Sequence, residues 1–276
     1  MQLHLPLMKT SSIAFIGGGN MASAIIGGLL RQGRAPSSIM VVEPFEAARA
    51  KLLQQYGLLA QAQADGALAE AGLVVWAVKP QMFAEAAEPC QIHVSGALHL
   101  SVMAGIRSDA IARAVGTQRV VRAMPNTPAL IGQGVAGLFA RAAVSGTDKE
   151  LIETVLAPTG QMLWVDAEAD LDAVTALSGS GPAYVFYMIE AMMQAAKDMG
   201  LSEAQGRTLA LATCAGATAL AQQSADPPSV LREQVTSKGG TTYAALNSME
   251  SDAVKAKIVK AILAAQLRAR ELGDEA

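Results

Sequence analysis

The chain is short of the side chains that most catalytic and metal chemistry uses. Its 276 residues contain two cysteines and three histidines. Cys90 and Cys214 exclude a disulfide scaffold and a four-cysteine zinc site. His4, His93 and His99 are scattered, so a histidine metal set is absent and no metal is expected. Aromatics make up 4%, too few for base-stacking platforms on single-stranded nucleic acid. Charged residues are 16% and the formal net charge is -3, which gives neither a basic nucleic-acid face nor an acidic tail. Long apolar runs are missing too. Leu209 to Ala221, LALATCAGATALA, is mostly Ala, Thr and Gly and falls short of the ~20 residues of a spanning helix, so no membrane partner is expected. The N-terminal MQLHLPLMKTSS lacks the basic start and apolar core of a signal peptide, and Met8 is an alternative start.

What is abundant is apolar: 51% of the residues are hydrophobic. That excludes a disordered chain and points to a cytoplasmic, Ala-rich globular protein. At roughly 150 residues per domain the length suggests about two domains. The surplus of apolar residues suits a large subunit interface as well as a large core.

The first half alternates strand and helix patterns. Ser12 to Ile16 is a buried-strand run ending in Gly17-Gly18-Gly19, and a helical run from Asn20 to Gln32 follows. Ile39 to Val42 reads as a strand and Phe45 to Tyr56 as a helix closed by Gly57. Leu73 to Val78 is continuously apolar, as in a strand buried on both faces. Further strands are expected at Leu98 to Val102, Arg119 to Ala123, Gly134 to Phe139 and Met162 to Val165. This predicts an α/β chain with a doubly wound, mostly parallel sheet of Rossmann type over 1–168.

From about Asp170 the strand pattern stops. Tyr184 to Met199 reads as a helix, and Ser202-Glu203-Ala204-Gln205 is a capping box for a helix running to about Gln223. A short helix starts at Asp226-Pro227, a break follows at Lys238 to Gly240, and Asp252 to Leu272 is a last long helix. The expectation for 169–276 is an all-α domain that pairs with a second copy to cover its faces.

Five segments carry candidate chemistry. Gly17-Gly18-Gly19-Asn20-Met21-Ala22 fits G-x-G-x-x-A after a strand and before a helix, the dinucleotide-binding context. The glycines allow a tight turn and close approach of a pyrophosphate to the helix start. Glu43 ends the second strand, where a carboxylate accepts from a ribose 2′-OH and disfavours a 2′-phosphate. The alternative is a solvated Glu43 pointing away, with Arg49 or a backbone nest serving the phosphate. Ala77-Val78-Lys79-Pro80 lies past a central strand, at the edge where open α/β sheets bind ligands; Lys79 is either a ribose or phosphate contact or a strand-ending surface lysine. Arg122-Ala123-Met124-Pro125-Asn126-Thr127-Pro128 holds Asn126 between prolines, with Arg122 a candidate ion-pair partner. Ser178-Gly179-Ser180-Gly181-Pro182-Ala183 reads as an elbow between the domains. Val235 to Thr242, VTSKGGTT, has four hydroxyls and two glycines. Its following helix start could hold a small carboxylate, or the segment is a loop capped by Thr.

These segments resemble the pyrroline-5-carboxylate reductase family. The resemblance rests on FIGGGNMASAIIGGL (15–29), AVKPQ (77–81), SVMAGI (101–106), RAMPNTPA (122–129), TALSGSGPAYVF (175–186) and REQVTSKGGTTYAAL (232–246), in family order across nearly the whole chain. It implies hydride transfer from a nicotinamide cofactor to 1-pyrroline-5-carboxylate, giving L-proline. It also implies an intertwined homodimer, with higher assemblies common, whose active site joins the cofactor cleft of one subunit to helices of its partner. Carried over by motif, Gly17, Gly18, Gly19, Asn20 and Met21 cradle the pyrophosphate. Ala77, Val78, Lys79 and Pro80 line the ribose and nicotinamide, and Asn126 lies near the ring. Ser237, Lys238, Gly239, Gly240 and Thr241 hold the substrate carboxylate, and Thr242 bonds the ring nitrogen. The family commonly uses NADPH, from which Glu43 departs, hinting at NADH. Two rivals remain. A hydroxyacid dehydrogenase is weakened because Gly181 to Gln194 has no Lys general acid. A non-enzymatic dinucleotide sensor is disfavoured by the intact TSKGGTT.

Overall fold

A computed structural model of the chain describes residues 12–275, so His4 and the alternative start at Met8 lie outside the described residues. The first half forms β1 (Ser12–Ile16), α1 (Asn20–Arg31), β2 (Ile39–Val42), α2 (Glu46–Tyr56), β3 (Ala71–Trp76), α3 (Phe83–Ala87), α4 (Gln91–Val94), β4 (Leu98–Ser101), α5 (Ser108–Val115), β5 (Val120–Met124), β6 (Gly134–Ala140), α6 (Gly146–Leu156) and β7 (Gly160–Trp164). The strands form one sheet in the order β2-β1-β3-β4-β5-β6-β7. Every neighbouring pair is parallel except β5 and β6. From β1 the chain crosses to β2 on one side and then returns to β3 on the other. That reversal makes the β1/β3 boundary the topological switch point, where an open sheet leaves a crevice at its carboxyl edge.

Alternation along β1 explains why both sheet faces are dry. Ile13 and Phe15 enter one core with Ile25, Ile26 and Leu29 of α1. Ala14 and Ile16 enter the other with Val74, Trp76 and Ile111. Successive strand side chains point to opposite faces, so a strand covered on both sides must be apolar throughout. The second core contains one polar pair. Trp76 Nε1 donates to His99 Nδ1 at 3.0 Å, and His99 Nε2 lies 3.0 Å from the Val94 carbonyl. That arrangement requires the neutral tautomer with its proton on Nε2, and burial pushes the imidazole down to about 4. Burial likewise pushes the Cys90 thiol up to about 11, which leaves it inert. Cys214 was expected to be buried as well; it is only half-buried, beside Met192.

The second half is helical: α7 (Asp170–Val174), a wide turn over Thr175–Gly179, α8 (Gly181–Asp198), α9 (Glu203–Gln223), α10 (Pro228–Gln234), α11 (Thr241–Ser251) and α12 (Val254–Asp274). α8 begins earlier than the apolar period suggests, because Pro182 fits a first turn where its missing N–H has no role. The Ser202–Gln205 capping box forms in both directions, at 2.9 and 3.3 Å. Two compact units result: the residues up to Ser180 with those from Ala265 onward, and Gly181–Ala264. Within the second unit, small residues bring α8 and α9 together; a Cβ on Gly206 would lie 2.9 Å from that of Ala196. Its larger apolar side chains, among them Phe186, Tyr187, Leu209, Leu220 and Leu263, stay exposed in the single chain. Among the described residues no helix is long and apolar enough to cross a membrane. Nor do three or more of their His, Cys, Asp and Glu side chains group to hold a metal ion.

Candidate active site

The glycine turn sits on the switch point and is built from three different constraints. Gly17 has φ +97, and a Cβ there would lie 2.7 Å from the Ala77 carbonyl oxygen. Its N–H donates to Val42 O, while Ala77 N–H donates to Ile16 O, so the ends of β1, β2 and β3 are tied together. Gly18 is buried, and a Cβ there would meet Leu52 at 2.7 Å. Gly19 is different: a Cβ there would meet nothing within 4 Å. Gly19 is the N-cap of α1, with no side-chain cap and no acidic residue in the first turn. The first N–H groups of a helix have no intrahelical partners, so this exposed start presents donors and the positive end of the dipole to open space. Asn20 is exposed and Met21 half-buried at that start. The geometry suits an anion against Gly19.

Glu43 settles one of the two readings of its role. It is 6% exposed, not solvated, and it does not point away. Its Oε2 accepts from Gly18 N–H at 2.8 Å and its Oε1 from Phe45 N–H at 2.9 Å. This corrects the expectation for Gly18 as well: its N–H is engaged by a carboxylate and is not directed to an anion. Arg49 is anchored on the Glu43 and Pro44 carbonyls at 3.0 and 2.6 Å. A fixed negative charge therefore stands beside the glycine turn at the end of β2.

Past β3, Ala77 and Val78 are half-buried against Gly17, and Pro80 opens a single 3-10 turn over Pro80–Met82. Lys79 is exposed as its N-cap, and its ammonium makes no ion pair among the described residues. Past β5, Asn126 is bonded on both ends of its amide: Val135 N–H donates to Oδ1 at 3.0 Å, and Nδ2 donates to Ser178 Oγ at 3.2 Å. Arg122 of β5 is an ion-pair partner, as its position allowed, and the partner is Glu168 at 2.8 Å. Glu168 also accepts from the Ser108 N–H and hydroxyl, both at 2.6 Å, at the start of α5. Sequence reasoning missed Glu168 and Ser108, because nothing in their local pattern marks a partner 46 or 60 residues away.

In the helical unit, Ser237 to Gly240 forms a turn closed by Gly240 N–H to Ser237 O at 3.0 Å. Gly239 has φ +78, and a Cβ on Gly240 would lie 2.6 Å from Ser237 Oγ. The left-handed backbone requires glycine at 239, while at 240 a side chain would crowd the Ser237 hydroxyl. Gly240 is the N-cap of α11, again with no side-chain cap and no acidic first turn. No Thr side chain caps the start of α11, but the Thr236 hydroxyl donates to Arg232 O in the last turn of α10 at 2.6 Å. The loop is thus closed by a Thr on its α10 side, as the alternative reading allows, while Thr241 and Thr242 stand at an open start of α11. Lys238 is exposed.

Comparison with known proteins agrees with this geometry. A family model described as pyrroline-5-carboxylate reductase dimerisation matches residues 168–272. A second, described as NADP oxidoreductase coenzyme F420-dependent, matches residues 12–105. A pyrroline-5-carboxylate reductase of Pseudomonas aeruginosa is 41% identical, over 97% of this chain and 99% of its own. One from Pisum sativum is 33% identical, over 97% and 98%. Among solved structures, a pyrroline-5-carboxylate reductase from Coxiella burnetii superposes with a TM-score of 0.87 at 35% identity, over 95% of this chain and 98% of that one. The Plasmodium falciparum pyrroline carboxylate reductase with NADP bound gives 0.86 at 27%, over 96% and 99%. With the glycine turn at the switch point and the glycine-opened α11 both in place, the chain belongs to the pyrroline-5-carboxylate reductase family.

Proposed function

We propose that this chain reduces 1-pyrroline-5-carboxylate to L-proline as a cytoplasmic homodimer, with NAD(P)H as the reductant. The observation that carries the reading is the open, Cβ-free start of α1 at the β1/β3 switch point, in a chain whose relatives share it nearly end to end. When bound, the nicotinamide supplies a hydride to C5 of the imine, the C=N bond becomes a single bond, and the ring nitrogen gains a proton. The residues around it hold and orient. The α1 start takes the pyrophosphate. The Gly240 N–H is already bonded to Ser237 O, so the Thr241 N–H and the open start of α11 take the substrate carboxylate, and the Thr242 hydroxyl bonds the ring nitrogen. A Thr hydroxyl is too weak an acid to protonate outright at neutral pH. It orients the nitrogen and relays a proton from water, or the substrate enters as the iminium. Placing two reactants correctly accounts for up to about 7–11 kcal/mol of a barrier. The dimer is supported by the match to the dimerisation model and by the exposed apolar faces of the helical unit. Cys90 and Cys214 are free, as suits a reducing compartment. The direct test is oxidation of NADH and NADPH in the presence of 1-pyrroline-5-carboxylate; folded protein with no turnover of either cofactor would overturn the reading.

Thr242→Ala is expected to lower kcat by about 10- to 100-fold, the worth of a hydrogen bond to a group gaining charge. The Kd for cofactor should not move. Equal turnover in the variant would remove Thr242 from the mechanism.

Glu43 sets the balance between cofactors. A fixed carboxylate at the adenosine ribose repels a 2′-phosphate and accepts from a 2′-OH. We expect Glu43→Ser to raise the NADPH-to-NADH ratio of kcat/KM by about 10-fold or more. The variant also leaves the Gly18 N–H without its acceptor, which weakens binding of both cofactors, but that loss cancels in the ratio. An unchanged ratio would show that Glu43 serves only to hold the glycine turn.

A further inference from the structure

The hydrogen bonds around Asn126 leave one donor unaccounted for, on a residue that the sequence places in an elbow segment without a role of its own. Val135 N–H lies 3.0 Å from one atom of the Asn126 amide. An N–H can face only an acceptor, so that atom is Oδ1, and Nδ2 must face Ser178 Oγ at 3.2 Å. Ser178 Oγ is then the acceptor in that bond, and its own proton is directed elsewhere. The hydroxyl makes no second hydrogen bond among the described residues, although Ser178 is half-buried. A helical hydroxyl ordinarily turns back to the carbonyl four residues earlier. Thr175 does this, donating to Leu171 O at 2.7 Å. Ser178 does not, because the backbone around it is a wide turn in which Ser180 N–H reaches Thr175 O at 2.8 Å, five residues back. Such turns recur at functional sites. This one is packed on the end of β5: a Cβ on Gly179 would lie 2.6 Å from Met124 Cε.

The place is as informative as the polarity. Along the carboxyl edge, β1, β3, β4 and β5 are consecutive neighbours. Three strand spacings of about 4.8 Å separate the glycine turn after β1 from Asn126 after β5, about 14 Å in all. A dinucleotide with its pyrophosphate against the start of α1 would run past Ala77 and Pro80 along this edge, with its nicotinamide end directed toward β5. The exocyclic group there is a carboxamide, whose oxygen requires a donor.

We infer that the Ser178 hydroxyl donates to the nicotinamide carboxamide oxygen, and that Asn126 is the positioning residue that aims it. The inference rests on the reductase reading given above. By fixing the carboxamide, Ser178 fixes the rotation of the ring and hence which face of C4 meets the substrate. Asn126 accordingly acts through Ser178 as well as lying near the ring.

The test uses the full chain with NADH, NADPH and their thionicotinamide analogues, whose sulfur is a poor acceptor. Cofactor fluorescence gives Kd, and steady-state assays give KM and kcat. Ser178→Ala should raise Kd and KM for NAD(P)H by about 5- to 10-fold, and Ser178→Thr should restore them. With the thionicotinamide forms the Ser178→Ala penalty should fall below about 2-fold, since the lost bond was never strong. Asn126→Asp replaces the Nδ2 donor by an acceptor, so the Ser178 proton turns to Asp and is lost to the cofactor. That variant should match Ser178→Ala and add nothing to it in the double variant. Unchanged Kd and KM in Ser178→Ala, or an equal penalty with oxygen and sulfur cofactors, would overturn the inference while leaving the reductase standing. Wild-type protein that binds neither NADH nor NADPH would instead overturn the reductase reading and this inference together.

Discussion

Gly19→Ala is expected to weaken NAD(P)H binding by about 10- to 100-fold while leaving the fold intact. The two halves of that statement come from one observation. A Cβ on Gly19 would meet no protein atom within 4 Å, so the folded chain has room for it. Its φ of -70 and ψ of -169 are open to any residue, and an alanine N-cap in place of glycine costs less than about 1 kcal/mol. The only thing the methyl can strike is what lies against the turn in the complex. Gly17→Ala is the contrasting case. There the methyl would lie 2.7 Å from the Ala77 carbonyl oxygen and 2.8 Å from its carbon, on a backbone with φ +97. Both the left-handed conformation and the backbone clash act on the fold itself, so a loss of roughly 2–4 kcal/mol is expected before any ligand is added. Denaturant unfolding beside a cofactor titration separates the two variants. Wild-type affinity in Gly19→Ala would place the pyrophosphate somewhere other than this turn.

How far the sequence reached depends on how local each feature is. The glycine turn was legible because a tight turn, a close approach and an open helix start each demand glycine at fixed spacing. The strands were legible because burial on both faces leaves continuous apolar runs, such as Leu73 to Trp76. The mostly parallel sheet followed from the alternation of strands and helices, but its one reversal did not: β6 pairs antiparallel with β5 and parallel with β7, and no side-chain period records that. The return of the residues from Ala265 onward to the α/β unit was equally hidden. It depends on contacts such as Arg107 with Asp172 and Asp274, at 3.0 and 3.5 Å, that join distant parts of the chain.

The candidate site divides along the same line. Glu43 could be placed at the end of β2 from its distance past the glycines. Whether it faced the turn or the solvent was undecidable, because orientation depends on Gly18 offering an N–H to it. Asn126 was legible as a rigid loop residue, but the direction of its amide depends on Val135. Ser178 was legible only as part of an elbow segment, with no role of its own. A serine ahead of Gly-Ser-Gly looks like loop chemistry, and only the bond from Asn126 shows that its proton is available.

Arg122 and Glu168 give the largest expected change in stability. Arg122 is 4% exposed in the middle of the sheet, and its one carboxylate partner is Glu168 at 2.8 Å. Among the described residues its Nε has no hydrogen-bond partner. Burial pulls its pKa down, and Glu168 offsets only part of that. The guanidinium nevertheless stays charged, because arginine does not release its proton at any working pH. Glu168→Ala thus strands a buried cation and also removes the acceptor for Ser108 N–H at the start of α5. The expected loss is about 3–5 kcal/mol, toward the lower figure because Glu168 is itself partly exposed. For a chain this long that lowers Tm by roughly 6–15 °C. Adding Arg122→Met should recover part of the loss, since an apolar side chain suits the sheet better than an unpaired cation. Recovery stays incomplete, because the Ser108 N–H still lacks Glu168. The pH dependence has a definite sign. Burial raises the Glu168 pKa, but the Ser108 hydroxyl and N–H and the Arg122 charge outweigh it, leaving the folded value below 4.5. A carboxyl group with a lowered folded pKa stabilises above its unfolded pKa and loses that contribution as pH falls through the folded one. The stability gap between wild type and Glu168→Ala should therefore be constant near neutral pH and narrow as pH falls below 4.5. A double variant no more stable than Glu168→Ala, or a gap that persists unchanged into acid, would show that this pair is not what holds β5 to the segment before α7.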